Sequence, residues 1–378
     1  MSIVLTFSFG VIYATAAFIV IRFPFKRVIG SSPTALPVFA AILFTSGLDV
    51  GLIMFPLTEF PTYEAHAAYA FTNPLAIEFG FWAFLVWGLY FLTTFYFCVV
   101  EPRLRLFEIP AIKFINNGVI IATCAFSGFL FLSYLPDYIA GITPTAKYAL
   151  VAVVVLLAAI SSTDIRFVKW LSLASTTLFI LLGFYLWWAA GISPPAFIES
   201  ASNLGGYFTN IHKFVAPISD YHAFYLSWWL AWSIMIGQFV SRFVGGISTW
   251  ALLVALLVLP SIPIAFWFSI LYAIHTGGVE IAGTMRTAMV AVGIIFVINS
   301  LDSLIRLYSD NLNLTRERFG APVYIAGHWA LLFALILSYQ FTPMKIEWVA
   351  LVVIGIYFAI FGLTLRRREA LTPETANG

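Results

Sequence analysis

About eleven apolar runs, each roughly 18 to 25 residues long, recur along the 378-residue chain. That length matches a helix crossing a hydrocarbon core, whereas a barrel strand needs only about 10 alternating residues. In lipid every backbone N–H and C=O has to be paired inside the protein, which leaves helices or a closed barrel as spanning elements. Run length selects helices. Composition agrees, because 62% hydrophobic and 10% charged residues cannot build the water-facing surface of a soluble domain. The expected fold is an all-α integral membrane protein.

Spans are placed near 3–22, 34–57, 75–99, 113–135, 147–163, 167–190, 222–244, 248–273, 286–308, 322–340 and 346–365. Lys and Arg sort to alternate connections on this map, which is the pattern of cytoplasmic loops. With the N-terminus outside and the C-terminus cytoplasmic, only Lys147, Lys213, Arg286 and Lys345 of the nineteen basic residues fall on the outer side. The first run, Ile3 to Ile21, has its basic residues (Arg22, Lys26, Arg27) after it, which fits a retained helix of the plasma (inner) membrane. The chain then divides into a first helix and basic loop (1–30), a five-helix unit (31–190), a connection (191–221), a second five-helix unit (222–366) and a tail (367–378). The connection is long enough for a short surface helix around Ile198 to Phe214.

The chain offers no metal-ligand cluster, no nucleophile with a base and no phosphate loop, so neither an enzyme nor a cofactor is expected. Cys98 and Cys124 sit inside apolar runs and read as packing residues. Nothing suggests a nucleic-acid partner; the lipid bilayer and a small solute are the expected ones.

Two features call for a polar cavity. The second span contains Thr45-Ser46-Gly47-Leu48-Asp49-Val50-Gly51, with two glycines and an acid at mid-membrane. Glycines permit close helix packing, but a carboxylate there costs about 2.5 to 3.5 kcal/mol and is not needed for packing. An interrupted helix exposes carbonyls and N–H groups to a substrate or ion, as in secondary transporters. The seventh span, five further on, would be its inverted equivalent, since five is odd.

The second feature is aromatic. Trp187, Trp188, Trp250 and Trp348 fit an interfacial belt, whereas Trp82, Trp87 and Tyr90 of the third span and Trp228, Trp229 and Trp232 of the seventh fall deeper. Residues 87 and 90, and 228 and 232 or 229 and 232, share helix faces. Converging aromatic faces suit a quaternary ammonium, held by cation–π attraction of roughly 2 kcal/mol or more per desolvated contact. Ordinary aromatic packing in a chain that is 18% aromatic is the competing reading.

These residues resemble the betaine/choline/carnitine transporter family. The Trp82-x4-Trp87-x2-Tyr90 spacing is similar to that family's fourth helix. The stretch Phe224 to Arg242, with paired tryptophans, Trp232, Gly237 and Phe239, is similar to its signature helix. The glycine-rich second span looks like its substrate helix, and Asn299-Ser300-Leu301-Asp302-Ser303 resembles its Thr-Ser-Ala-Asp-Ser run.

The resemblance implies a leucine-transporter-type core of two inverted five-helix repeats, alternating access, and transport of choline or betaine. Trp82, Trp87, Tyr90 and Trp229 would form the box, Trp228 and Trp232 would complete or gate it, and Gly47, Asp49 and Gly51 would border it. Sodium would sit at Thr45, Leu48, Phe296, Asn299 and Ser300, and at Thr123 and Ser127.

Family members are often trimers. The family has two helices before the core where this chain has room for one, and Asp49 stands where betaine carriers have glycine. Choline-type members place an acid in this stretch, so Asp49 points to a cationic substrate, to H+ rather than Na+ coupling, or to both. A same-fold carrier for an amino acid or other amine, and a transporter-like solute sensor, are the alternatives. Asp302 and Arg306, one turn apart, are expected to pair with each other or to face the inner surface.

Overall fold

The computed structural model describes residues 1–46, 51–367 and 369. Its helices are α1 (Ser2–Arg22), α2 (Leu36–Ser46), α3 (Gly51–Met54), α4 (Pro56–Ala65), α5 (Pro74–Trp82), α6 (Leu85–Val99) and α7 (Glu101–Leu104). Then come α8 (Pro110–Tyr138), α9 (Pro144–Ser161), α10 (Ile165–Ala189), α11 (Pro194–Ser202), α12 (Gly205–Thr209) and α13 (Asp220–Val240). The remainder are α14 (Thr249–Val258), α15 (Ser261–Thr276), α16 (Gly283–Leu312), α17 (Arg316–Phe319), α18 (Ala321–Phe341) and α19 (Ile346–Arg366). Several starts are written in the sequence as a capping side chain followed by proline. Asn73 Oδ1 accepts from Ala76 N at 2.9 Å before Pro74, and Thr143 Oγ1 from Ala146 N at 3.2 Å before Pro144.

Among the described residues ten helical segments are long and apolar enough to span a membrane, counting α5–α6 and α14–α15 as one each. The second expected span differs. Its apolar first half is the short α2, residues 47–50 lie outside the described residues, and the chain resumes as α3 and α4 to Ala65, beyond the expected end at 57. The connection also differs from a single surface helix. Asn203 ends α11 by turning its amide onto the Glu199 carbonyl at 3.0 Å, and α12 and a 3-10 turn (Ile211–Val215) follow. Two short strands that periodicity did not reveal, β1 (Arg27–Ile29) and β2 (Gly245–Ser248), pair antiparallel and tie the first loop to the end of α13.

Exchanging the second to sixth spans with the seventh to eleventh maps the main packing contacts onto one another. The contact of α9 with α16 corresponds to that of α18 with α8, and α10 on α16 corresponds to α19 on α8. Likewise α10 on α2 corresponds to α19 on α13, while α8 on α16 and α9 on α18 map onto themselves. This is the arrangement expected of two inverted five-helix repeats.

The middle of the molecule belongs to α5–α6 and α13, whose apolar windows are 83% and 89% buried, against 28% for α1 and α19. The outer helices turn apolar side chains such as Phe184, Phe358 and Trp188 outward, as a lipid-facing surface requires.

The tightest approach in the centre is α13 on α6. A Cβ built at Gly237 would lie 2.2 Å from Thr93 Oγ1 and 2.8 Å from the Thr93 backbone, whose hydroxyl already donates to the Ser233 carbonyl at 2.8 Å. Gly237→Val should therefore overpack this contact and cost about 1 to 3 kcal/mol, read as a lowered thermal midpoint in detergent. An unchanged midpoint would contradict the packing described.

Candidate functional site

The third span breaks at Ala83 and Phe84, where Phe84 takes a left-handed φ of 51°. A break in a helix frees the carbonyls of its last turn, and inside a membrane these need partners from the protein. Two indoles supply them. Trp229 Nε1 donates to the Phe81 carbonyl at 2.6 Å, and Trp87 Nε1 donates to the Trp82 carbonyl at 3.3 Å. On the other side of the break, Phe84 N donates to Ser261 Oγ at 2.9 Å, at the corresponding break between α14 and α15.

The interrupted second span is held in the same way. Trp267 Nε1 donates to the Leu52 carbonyl at 2.8 Å, and the Tyr138 hydroxyl donates to the Met54 carbonyl.

This hydrogen bonding brings three of the expected rings together. Trp228 and Trp229 stack on each other with centroids 4.8 Å apart, and Trp82 meets them edge-on at 5.4 and 5.1 Å. Tyr225 joins Trp82 and Trp228 at 5.7 Å, and Phe55 lies 6.1 Å from both. Gly51 abuts the cluster, since a Cβ there would fall 2.7 Å from the Trp82 ring and 3.0 Å from Phe55. The first residue of α3 thus touches the rings directly.

Trp87 and Tyr90 form a separate edge-to-face pair at 5.0 Å, joined to Trp82 by the indole hydrogen bond rather than by ring contact. Trp232 is buried one turn deeper on α13, and its Nε1, like those of Trp82 and Trp228, has no hydrogen-bond partner among the described residues. Gly47, Leu48 and Asp49 lie outside the described residues. Trp188, Trp250 and Trp348 are exposed on the outside of the bundle.

At the expected sodium positions, the Asn299 side chain bridges α2 and α10. Its Nδ2 faces the Thr45 carbonyl at 3.5 Å, and its Oδ1 accepts from Ser172 Oγ at 3.3 Å. The Thr45 hydroxyl donates to Ala41 O at 2.9 Å. Phe296 and Ser300 are buried on the same helix as Asn299. On α8, Ser127 Oγ donates to the Thr123 carbonyl at 3.5 Å, and Thr123 Oγ1 is buried without a hydrogen-bond partner among the described residues.

Asp302 and Arg306 do not pair. Asp302 accepts from Ser161 Oγ of α9 at 2.6 Å, whereas Arg306 pairs with Asp310 at 3.2 Å, which Arg242 also approaches at 3.8 Å. Asp310 lies as far along α16 from Arg306 as Asp302 does, so it is the Ser161 hydroxyl of α9 on Asp302 that helix spacing could not reveal.

Three relatives were compared with the chain. A glycine betaine transporter of Bacillus subtilis is 24% identical over 279 residues, 61% of this chain and 53% of its own length. A glycine betaine transporter of Acinetobacter baylyi is 23% identical over 295 residues, 65% of this chain and 44% of its own. An uncharacterized transporter of Mycobacterium tuberculosis is 30% identical over 119 residues, 27% of this chain and 18% of its own. Over about three fifths of its length the chain is similar to proteins named glycine betaine transporters. It spans about half or less of the length of the curated relatives it matches, and no family model matches it.

One cluster is not foreseen from the sequence. Glu59 on α4 and Glu78 on α5 are both buried, and the Tyr63 hydroxyl lies 2.6 Å from an oxygen of each. Tyr225 donates to Glu59 at 2.9 and 3.0 Å, and Tyr221 donates to it as well. The signal was available, because Glu78 falls inside an apolar run and an acid there marks a functional position as Asp49 does. Beside the cluster, Thr62, His66, Tyr69, Asp220 and Tyr221 line a cavity of about 620 Å³ that also includes Ser2 of α1. Burial raises the Tyr69 phenol above its usual range.

Because Trp229 holds a carbonyl that the helix break has freed, Trp229→Phe should cost about 1 to 3 kcal/mol of thermal stability. Trp228→Phe, which removes an indole N–H without a partner, should cost clearly less. Equal losses in a melting comparison of the two variants would contradict the carbonyl-holding role.

Proposed function

We propose that the chain is a secondary active transporter of a small quaternary or methylated ammonium solute, of the choline or glycine betaine type, working by alternating access. The observation that carries this reading is the ring cluster of Trp82, Trp228 and Trp229, drawn from α5 and α13 and abutting Gly51 at the start of α3. The printed names of the relatives from Bacillus subtilis and Acinetobacter baylyi support it.

The edge-on contact of Trp82 explains how such a cluster serves a cation. An aromatic edge is electropositive and a face electronegative, and with Trp82 nearly perpendicular to the stacked pair the three rings offer faces in two directions to a methylated ammonium. Trp87 and Tyr90 stand one turn away as a second aromatic wall, and Trp232 lies deeper along the path.

Sidedness follows from charge. Ser2, the stretch around Tyr69 and the stretch before α13 meet at one end of the molecule, and Leu104 accepts from Arg367 at the other. The basic end faces the cytoplasm, with the N-terminus outside, in the inner membrane. The coupling ion is Na+ at Thr45, Leu48, Phe296, Asn299, Ser300, Thr123 and Ser127, or H+ with Asp49 beside the substrate.

Purified protein should be thermally stabilised by choline or glycine betaine, because a ligand that binds only the folded state raises its stability. Trp228→Leu should weaken that binding at least about tenfold, about 1.4 kcal/mol, without loss of fold. Repeating the titration in sodium and in potassium separates the two ions. Absence of any shift with methylated amines, or full affinity in the variant, would reject the reading.

A further inference from the structure

Glu59 and Glu78 are 4% and 0% exposed, and Tyr63 lies between them. A phenol has one proton to donate, and two ionised carboxylates have none. With both acids ionised, one of the two 2.6 Å contacts would set oxygen lone pairs against each other, so one acid carries a proton.

Which one follows from the remaining donors. Glu59 accepts from Tyr221 and Tyr225 as well as Tyr63, a surround that suits a carboxylate. Glu78 has only the Trp82 indole nearby as a further donor, outside hydrogen-bond geometry, and its Oε1 has no hydrogen-bond partner among the described residues. A buried charge with an unpaired oxygen is far more costly than a neutral acid. Tyr63 therefore donates to Glu59, and a protonated Glu78 donates to the Tyr63 oxygen.

Two side chains join this pair to the ring cluster. Trp82, one turn after Glu78 on α5, faces its carboxyl, and Tyr225 touches Glu59 with its hydroxyl and Trp82 and Trp228 with its ring. A cation among the rings stabilises a negative charge on Glu78 and so disfavours its proton. We propose that Glu78, bridged by Tyr63 to an ionised Glu59, is a proton-binding site whose proton leaves when a quaternary ammonium cation enters the ring cluster. This rests on the substrate class proposed above. In the step the Glu78 O–H bond breaks and its electron pair stays on the carboxylate; Tyr63 takes that proton as it gives its own to Glu59, and Glu59 passes one to Tyr221 as Tyr221 gives its own to water in the cavity it lines, which leaves Tyr63 and Tyr221 neutral and both acids ionised.

The other ionisable groups around the pair have their own surroundings. Glu64 is paired with His275 of α15 at 3.0 Å, and His222 of α13 stacks on Phe81 at 4.4 Å with Nδ1 accepting from Ile218 N. His66 accepts from Ala68 N, Asp220 lines the cavity, and Asp137 lies on α8 near Tyr138. A Glu78 variant isolates the proposed group from all of these.

The experiment adds choline to weakly buffered protein in detergent and reads the released protons, with binding followed by thermal shift. Wild type should release a proton on binding, and its choline affinity should rise by up to about tenfold per pH unit, as one-proton linkage requires. Glu78→Gln should still bind choline, release no proton and lose the pH dependence. Binding by wild type without release, or undiminished release from the Gln variant, overturns the proposal.

Infrared spectroscopy supplies a readout that needs no ligand. The carbonyl band of a protonated carboxylic acid should be present in wild type at neutral pH and absent in Glu78→Gln. If the band is present and lost on substitution but choline does not bind, the substrate reading fails and the proton site stands; a missing band sinks the site. Should Glu78→Gln not fold, Tyr63→Phe keeps both acids and removes the bridge, and it should shift the pH at which the band disappears. An unshifted band would also count against the arrangement.

Discussion

A carbonyl freed inside a membrane has no water to turn to, and the centre of this protein is organised around that fact. The second and third spans are both broken, and the freed carbonyls of Leu52, Met54, Phe81 and Trp82 are taken by Trp267, Tyr138, Trp229 and Trp87. Each donor comes from another helix or from across a break, so every such bond fixes an interhelical distance as well as satisfying a group. The indoles that a sequence reading assigns to ligand binding are, in part, the pins of the scaffold.

That double use shapes the site. Trp229 is oriented by the Phe81 carbonyl, and its ring stacks on Trp228 and lies nearly perpendicular to Trp82. The Trp229 ring is thereby fixed by a backbone group of α5, the helix that also carries Trp82. The two-fold relation between the helix units extends to their breaks, since the Phe84 N–H finds Ser261 at the matching interruption. Discontinuities that would be costly singly stabilise one another in pairs.

Much of the architecture was legible because lipid imposes a simple length rule on apolar runs. The span limits of α1, α9 and α19 match the hydropathy reading within a few residues, and an odd repeat of five spans agrees with the packing pairs. Misreadings came where local chemistry overrode hydropathy. The segment after Gly51 continues to Ala65 as α4 although it is less apolar, since Glu59 and Tyr63 are buried against α5 and α13. Arg306 pairs with Asp310, one turn on along α16, while Asp302 is taken by Ser161 of α9, a neighbour that spacing along one helix does not reveal.

The order of apolar runs, the acids and glycines inside them and the placement of tryptophans were fixed by the sequence itself, since they depend only on helix period and on the cost of exposing polar groups to lipid. Only the tertiary structure decided that α4 and α5 bring Glu59 and Glu78 onto one tyrosine hydroxyl, and which indoles face rings and which face carbonyls. Those outcomes turn on contacts between residues far apart in the chain, and a helix of given sequence can present the same side chains to many neighbours until packing selects one.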